Sequence, residues 1–150
     1  MNEKIDSILA FIISNYSKPS ISIFRLIRIA FLAEWYSVIL QGKTLSPTIW
    51  YRRNFGPDAD DVAKSLLDLN IYLKKNNDDL DGISISAFNS TNLHNYNLSE
   101  LEQDIISLAM KHANKLDFIE LDNYIENLFP IKKTAINAEI KLKELAKTAP

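Results

Sequence analysis

The chain has 150 residues, a length that suits one domain with a substantial hydrophobic core. Its net charge of −2 excludes a global electrostatic attraction to nucleic acid or to anionic lipid. The absence of cysteine excludes disulfides, thiol nucleophiles and thiolate metal sites, and it is typical of a reducing compartment. We therefore predict a single domain over residues 1–150, located in the cytoplasm.

The N-terminal segment predicts an amphipathic helix over residues 3–16. Glu3 and Asp6 stand where a secretory signal peptide would be basic, so we interpret this segment as part of the fold. Its apolar side chains recur at helical spacing, at Ile5, Ile8, Leu9, Ile12 and Ile13.

The most apolar segment of the chain covers residues 22–41. Arg25, Arg28 and Glu34 would lie inside any membrane span formed there, and charged side chains are costly in hydrocarbon. We therefore predict that this segment is the central helix of the core and does not enter a membrane.

Residues at both ends of this segment predict where the central helix begins and ends. Ser20 or Ser22 can cap its N-terminus, because a serine hydroxyl accepts a hydrogen bond from a free backbone N–H. Gly42 can end it in the left-handed conformation that helix C-termini favour.

Two proline-containing pairs follow the central helix. Ser46-Pro47 predicts a short helical turn, with serine as the cap and proline at the first helical position. Gly56-Pro57 predicts the start of a helix over residues 57–69. The inward-facing residues of that helix would be Ala59, Val62, Ala63, Leu66 and Leu67.

A change of hydrophobic period after this helix predicts a β-hairpin. Asp81-Gly82 is typical of tight hairpin turns, and apolar residues alternate with polar ones on both sides of it. The alternating apolar residues are Ile71, Leu73, Ile83 and Ile85.

The last third of the chain predicts three further helices. Ser99 and Glu102 form a capping box at the start of the first. The other two are expected over residues 119–128 and 134–147, separated by Pro130. The apolar stripe of the capped helix would consist of Leu101, Ile105, Leu108 and His112.

These elements predict a mainly α fold, a compact helical domain with one small antiparallel β-hairpin. The helix over residues 57–69 and the hairpin after it have the order of a winged-helix segment. In such a fold this helix would enter the DNA major groove, where arginine, lysine, asparagine or glutamine reads the bases. Here it carries several aspartates and only Lys64 as a cation. Specific nucleic-acid binding is therefore disfavoured.

The stretch around Gly56 also lacks the features of a phosphate site. Asp58, Asp60 and Asp61 occupy the predicted first helical turn and would repel a phosphate, and the glycine pattern of nucleotide-binding loops is missing. The acidic turn near Asp81 is not a calcium loop, because the position of the bidentate glutamate is Phe88. The sequence predicts no cofactor and no metal.

Catalytic groups are sparse. His94 lies in a predicted polar loop, and His112 falls on an apolar stripe where a histidine is usually structural. No local spacing assembles a nucleophile with a base, or a metal-ligating set. We predict that the protein is not an enzyme.

A cluster of aromatic residues and arginines precedes Gly56. Trp50, Tyr51, Arg52 and Arg53 are of the types that dominate protein–protein hot spots. We predict that this cluster binds a protein partner, with Arg25 and Arg28 of the central helix as further candidates. Trp35 and Phe55 are expected in the core.

The order of these features resembles the Panacea-domain family, also described as SocA-like antitoxins. The resemblance is carried by "LIRIAFLAEWYSVILQGKTLSPTIWYRRNFGPDADDV" and by the closing section from Leu98 to Thr134. Phe31 stands where the family commonly has tyrosine, and Arg28 stands one place before its basic residue. The matching positions are Leu26, Ile29, Phe31, Ala33, Gly42, Leu45, Trp50, Gly56 and Pro57.

The resemblance implies a bacterial or phage protein that neutralises a co-encoded toxin by direct contact. It also implies structural roles for Phe31, Gly42, Gly56 and Pro57. Two alternatives remain: a subunit of a multi-protein phage-defence complex carried on a mobile element, and a winged-helix DNA-binding regulator. The sequence leaves a homo-oligomer open.

Overall fold

The computed structural model describes residues 3–18, 20–68, 73–79, 82–87 and 96–150, and for Glu3 and residues 73–79 and 82–87 the backbone alone. The helices are α1 (Glu3–Asn15), α2 (Ile23–Gln41), α3 (Asp60–Asp68), α4 (Glu100–Ala113), α5 (Phe118–Glu126), α6 (Phe129–Lys132) and α7 (Leu142–Ala146). The strands are β1 (Ser20–Ser22), β2 (Tyr51–Arg53), β3 (Gly56–Asp58), β4 (Leu73–Asp79) and β5 (Gly82–Ala87). The predicted mainly α fold with a small β-hairpin is confirmed.

The centre of the core is α2, as the sequence predicts. Leu26, Ile29, Phe31 and Leu32 are fully buried on it, and α2 packs against α4 and α1. The predicted helices at 3–16 and 119–128 are also present, as α1 and α5. Within the described part of the chain, no helix is long and apolar enough to cross a membrane.

Both predicted caps of α2 are confirmed. The hydroxyl oxygen of Ser22 accepts a hydrogen bond from the backbone N–H of Arg25 at 3.1 Å. Gly42 has a φ of 76°, and its N–H donates to the carbonyl of Val38 at 2.9 Å. The glycine is needed there because side chains strain this left-handed conformation.

A three-stranded antiparallel sheet has the order β1-β5-β4. The hairpin of β4 and β5 is the predicted one, whereas β1 is absent from the sequence prediction. Ile21 of β1 pairs with Ile85 of β5. The resulting order of α1, β1, α2, α3, β4 and β5 is winged-helix-like, with residues 42–59 inserted before α3. The predicted turn residue Asp81, the alternating residue Ile71 and the polar-loop residue His94 lie outside the described residues.

The prediction that Gly56-Pro57 opens a helix is wrong. These residues belong to β3, which pairs antiparallel with β2 so that Arg52 lies opposite Pro57. Proline is tolerated in an edge strand, where its missing N–H need not serve a partner. Gly56 has a φ of 120°, which is accessible to glycine and strained for other residues. The helix that follows, α3, begins three residues later than the Panacea-domain resemblance implies.

The buried face of α3 also differs from the prediction. Ala59, just before the helix, and Val62 are buried as predicted, but Ala63 is exposed and Leu67 is 71% exposed. Ser65 is buried instead, and its hydroxyl is hydrogen-bonded to the carboxylate of Asp6 on α1.

The helical turn predicted at Ser46-Pro47 is absent, since residues 42–50 contain no helix. Buried Glu34 organises this loop. Its carboxylate accepts hydrogen bonds from the N–H of Leu45 at 2.6 Å and from the N–H and hydroxyl of Ser46 at 3.1 and 2.5 Å. The indole N–H of Trp50 lies 3.4 Å from the same group. The Ser46 hydroxyl also accepts from the N–H of Thr48 at 3.2 Å, a cap-like bond that no helix follows.

The capping box of α4 is confirmed, but of the predicted stripe only Ile105 is buried. The hydroxyl of Ser99 accepts from the N–H of Glu102 at 3.1 Å, and the Glu102 carboxylate accepts from the N–H of Ser99 at 2.8 Å. Leu101, Leu108 and His112 are exposed. The buried face consists of Ile105, Ile106, Ala109, Met110 and Ala113. This face packs against α2.

The helix predicted over residues 134–147 is wrong. Two short helices, α6 and α7, flank a segment of turns and bends, in which Glu139 forms a single β-bridge with Tyr51 of β2. In this segment, the N–H of Ile140 donates to the carbonyl of Trp50 at 2.8 Å, and the N–H of Asn137 donates to the carbonyl of Arg52 at 2.5 Å. The backbone groups of β2 therefore supply hydrogen-bond partners to this non-helical segment.

Candidate protein-binding surface

Trp50, a predicted surface residue, lies in the core. It is 1% exposed, and its ring packs edge-to-face on Phe31 with the centroids 5.3 Å apart. Trp35 is buried as predicted, but Phe55, also predicted in the core, is 50% exposed. The aromatic residue that the surface presents near Gly56 is therefore Phe55 and not Trp50.

Arg25, which was predicted to bind a partner, is also buried. It is 8% exposed, and its guanidinium donates to the carbonyl of Ala113 at 3.1 Å and to the carbonyl of Leu116 at 3.0 Å. These carbonyls lie at and just after the end of α4, where the helix leaves acceptors without an intrahelical partner. Arg25 thus joins α2 to the C-terminus of α4, a structural role.

Arg28 is buried beneath an exposed aromatic surface. It is 5% exposed, and its Nη2 donates to the carbonyl of Phe55 at 3.1 Å and to Oδ1 of Asp122 at 2.9 Å. Its guanidinium carbon lies 5.7 Å from the ring centroid of Phe24 and 5.3 Å from that of Phe118. One cation thus holds residues of α2, of the β2–β3 turn and of α5 in fixed positions.

These residues form a cavity of about 350 Å³, which we call the phenylalanine pocket. Phe24, Phe55 and Phe118 are 37%, 50% and 36% exposed, so all three contribute surface to it. The rings of Phe24 and Phe55 meet edge-to-face at 6.2 Å. The complete lining is Phe24, Arg28, Asn54, Phe55, Phe118, Asp122 and Glu126.

The predicted arginine pair divides between the two faces of β2, because successive side chains of a strand point to opposite faces. Arg52 turns inward: its Nη1 donates to the carbonyl of Thr134 at 2.8 Å, and its Nη2 lies 3.6 Å from Oε2 of Glu126. The guanidinium of Arg53 lies 4.9 Å from the ring centroid of Tyr51. Tyr51 and Arg53 therefore form a stacked, half-buried pair separate from Arg52.

The structure brings Arg28 and Arg52 together, although the sequence places them on different elements. Asp122 and Glu126, one turn apart on α5, pair with Arg28 and with Arg52 respectively. Sequence reasoning missed Phe24, Phe118 and these two carboxylates. The signal for the carboxylates was their spacing of four residues, which puts them on one helix face.

A hydroxyl–imidazole cluster lies on another part of the surface. The hydroxyl of Tyr36 lies 2.6 Å from Nδ1 of His112 and 3.0 Å from the hydroxyl of Tyr124. Burial, together with the Tyr124 hydroxyl, raises the pKa of Tyr36 above its ordinary value, which disfavours its phenolate. Tyr36 is therefore a poor nucleophile at neutral pH. His112 is exposed and does not belong to a buried stripe.

Among the residues that the structure describes, no group of three histidine, aspartate, glutamate or cysteine side chains could hold a metal ion. The exposed residues of α3, the helix that would enter the DNA groove of a winged helix, include Asp60, Lys64, Leu67 and Asp68. Carboxylates and an exposed leucine on that face are poorly matched to phosphates.

Comparison with protein-family models, with curated proteins and with solved structures finds no match to this chain.

Proposed function

We propose that this chain is an antitoxin-like protein-binding module that neutralises a co-encoded toxin by direct contact. The observation that supports the proposal is the phenylalanine pocket, in which Phe24, Phe55 and Phe118 remain exposed around buried Arg28. Aromatic side chains clustered at a surface cavity are typical of interface hot spots.

The pocket is held in place before any partner binds. Arg28 fixes the backbone of Phe55, and Asp117 caps α5 by accepting from the N–H of Glu120 at 2.8 Å. Phe118 is the first residue of that capped helix. A rigid pocket loses little conformational entropy on binding, and this raises affinity for a given contact area.

The choice of partner class rests on the Panacea-domain resemblance, although its Gly56-Pro57 element lies in β3 instead of opening a helix. Two of its positions have structural roles consistent with it: Phe31 packs in the core against Trp50, and Gly42 caps α2. A subunit of a multi-protein phage-defence complex would use the same kind of surface, with a different protein in the pocket. In both cases the partner is a protein, and the chain itself performs no chemistry.

The proposal is tested by titrating the purified chain against the product of the adjacent gene. Phe55→Ala should weaken the complex by about tenfold or more, because it removes a half-exposed ring from the pocket. Ile136→Ala is the matched control, since Ile136 is 51% exposed and does not line the pocket. Equal affinity of the Phe55 variant and the wild type would contradict this site.

Variants of Arg52 and Arg53 give a second comparison in the same titration. Arg53→Ala should change neither the affinity nor the melting temperature, because Arg53 does not line the pocket and its side chain contacts only Tyr51 and Asn137 in the described structure. A weakened complex would extend the partner surface from the pocket to the Tyr51–Arg53 pair. Arg52→Ala should lower the melting temperature instead, since it removes the contacts with Thr134 and Glu126. A stable Arg52 variant with weakened binding would contradict this structural role of Arg52.

The winged-helix-like order of elements favours a DNA-binding regulator as the second candidate. We expect fluorescence anisotropy with a labelled duplex from the upstream region to show only weak association, no tighter than about 10⁻⁶ M at physiological salt. An unrelated duplex of the same length is the control. Tight binding to the upstream duplex alone would favour the regulator over the antitoxin.

A further inference from the structure

Strand β4 forms one edge of the three-stranded sheet. The order β1-β5-β4 places β5 on one side of it, and no strand that the structure describes lies on its other side. This edge extends over the seven residues Leu73–Asp79. The backbone N–H and C=O groups along such an edge can pair with a strand of another chain.

The charges of β4 are complementary to those of a second copy of the same strand. Its sequence is LKKNNDD, in which two lysines and two aspartates lie on either side of two asparagines. When two such strands pair antiparallel about the asparagines, the lysines of each copy come opposite the aspartates of the other. A parallel pair in the same register would oppose like charges, which is destabilising. The opposed pairs are Lys74 with Asp79 and Lys75 with Asp78.

The register of the hairpin places Lys74 and Asp79 on one face of the sheet. Lys74 pairs with Ser86 of β5, and Asp79 pairs with Gly82. Ser86 and Gly82 are four positions apart, so they share a face, and their partners on β4 share it as well. In a regular strand, residues five positions apart would lie on opposite faces. The irregularity between Asn76 and Asp79 changes this alternation, so Lys74 and Asp79 meet the requirement that opposed residues share a face.

The neighbouring strands carry no charges that could oppose those of β4. The sequences of β5 and β1 are GISISA and SIS, and neither contains a charged residue. Lysines on an edge strand usually prevent pairing with another chain, because they repel a second copy. In β4 an equal number of aspartates follows the lysines, so this repulsion applies to the parallel arrangement and not to the antiparallel one.

We propose that two copies of this chain dimerise through the free edge of β4, antiparallel and about a two-fold axis. The dimer joins the two three-stranded sheets into one continuous sheet. This inference goes beyond the proposed function and does not depend on it, since the residues of the phenylalanine pocket belong to α2, α5 and the β2–β3 turn. An edge-to-edge contact buries little surface, so we expect a reversible dimer with a Kd of about 10⁻⁵–10⁻⁴ M.

Sedimentation velocity over a range of protein concentrations, with variants of β4, tests the dimer. An acidic variant (Lys74→Asp with Lys75→Asp) and a basic variant (Asp78→Lys with Asp79→Lys) should each raise the Kd by about tenfold or more, because like charges then oppose each other. An equimolar mixture of the two variants should form a heterodimer. The swapped variant, which carries all four substitutions, should dimerise as the wild type does, because its two halves are again complementary.

The matched control for the acidic variant is Lys141→Asp with Lys143→Asp. It makes the same change of net charge at two exposed residues at the start of α7, where acidic residues suit the helix dipole. This control should keep the Kd of the wild type. Added salt should raise the Kd of the wild type, because salt screens the opposed charges, and this measurement needs no variant.

Four results would overturn the proposal. The first is a wild type that stays monomeric at about ten times the expected Kd. The second is a dimer that the acidic and basic variants both retain, which would place the contact elsewhere on the chain. The third is a swapped variant that folds, as measured by circular dichroism, and does not dimerise. The fourth is a wild-type dimer whose Kd does not change with salt.

Discussion

Replacing Glu34 with alanine is expected to lower the free energy of unfolding by about 3–5 kcal/mol, the range for an uncompensated buried polar network. The carboxylate is fully buried and accepts from the N–H groups of Leu45 and Ser46. Alanine would leave these donors and the indole N–H of Trp50 without their acceptor. Equilibrium unfolding in urea measures the change. A loss below about 1 kcal/mol would mean that water or a loop rearrangement replaces the carboxylate.

Glu34→Gln is the matched control, and it separates charge from hydrogen bonding. The amide oxygen can still accept from the Leu45 and Ser46 N–H groups, so this variant should be less destabilised than Glu34→Ala. Its NH₂ group would face the Ser46 hydroxyl and the Trp50 indole, which both donate to the carboxylate in the wild type. Some loss of stability relative to the wild type is therefore expected.

The stabilities of the wild type and of Glu34→Gln should depend differently on pH. Burial raises the pKa of Glu34 above 4.5, and the hydrogen bonds from Ser46, Leu45 and Trp50 act in the opposite direction. With a raised pKa, the folded state binds the proton more tightly than the unfolded state, so stability falls as the pH rises from the unfolded pKa through the folded one. The advantage of the wild type over Glu34→Gln should therefore shrink as the pH increases from 4.5. An advantage that stays constant over this range would show that the donors offset the effect of burial.

Leu32→Ala should cost about 2–5 kcal/mol, because it removes a fully buried side chain and leaves a cavity in the centre of the core. Leu32 lies in the part of α2 where residues 25–35 are continuously buried. Leu40→Ala on the same helix is the control, since Leu40 is 62% exposed and should change stability by less than about 0.5 kcal/mol. Urea unfolding of both variants gives the comparison. Similar losses at the two positions would mean that the buried face of α2 is assigned incorrectly.

The sequence alone determined the features that depend on neighbouring residues. The caps of α2 at Ser22 and Gly42 and the capping box of Ser99 and Glu102 were predictable, because each satisfies helix ends within a few residues. Helix α1 was predictable because its apolar residues recur at helical spacing within the segment itself. Each of these signals is complete within one or two turns of chain.

The tertiary structure decided the features whose partners are distant in sequence. Strand β1 needs β5 to exist, and the non-helical segment before α7 is hydrogen-bonded to the free edge of β2. Backbone groups buried in such places must find hydrogen-bond partners, and no local pattern names the distant partner.

The candidate site also combines features that the sequence predicted with features that only the tertiary structure decided. Composition pointed to aromatic residues and arginines near Gly56, but it could not tell which of them face solvent. Distant contacts decided this: Glu34 and Phe31 hold Trp50 in the core, and Asp122 anchors Arg28 so that Phe24, Phe55 and Phe118 form a pocket around it. Burial of an arginine or an indole becomes tolerable when its polar groups are bonded, so residue type alone does not decide exposure. The contacts that the fold supplies therefore decide whether each of these side chains is exposed or buried.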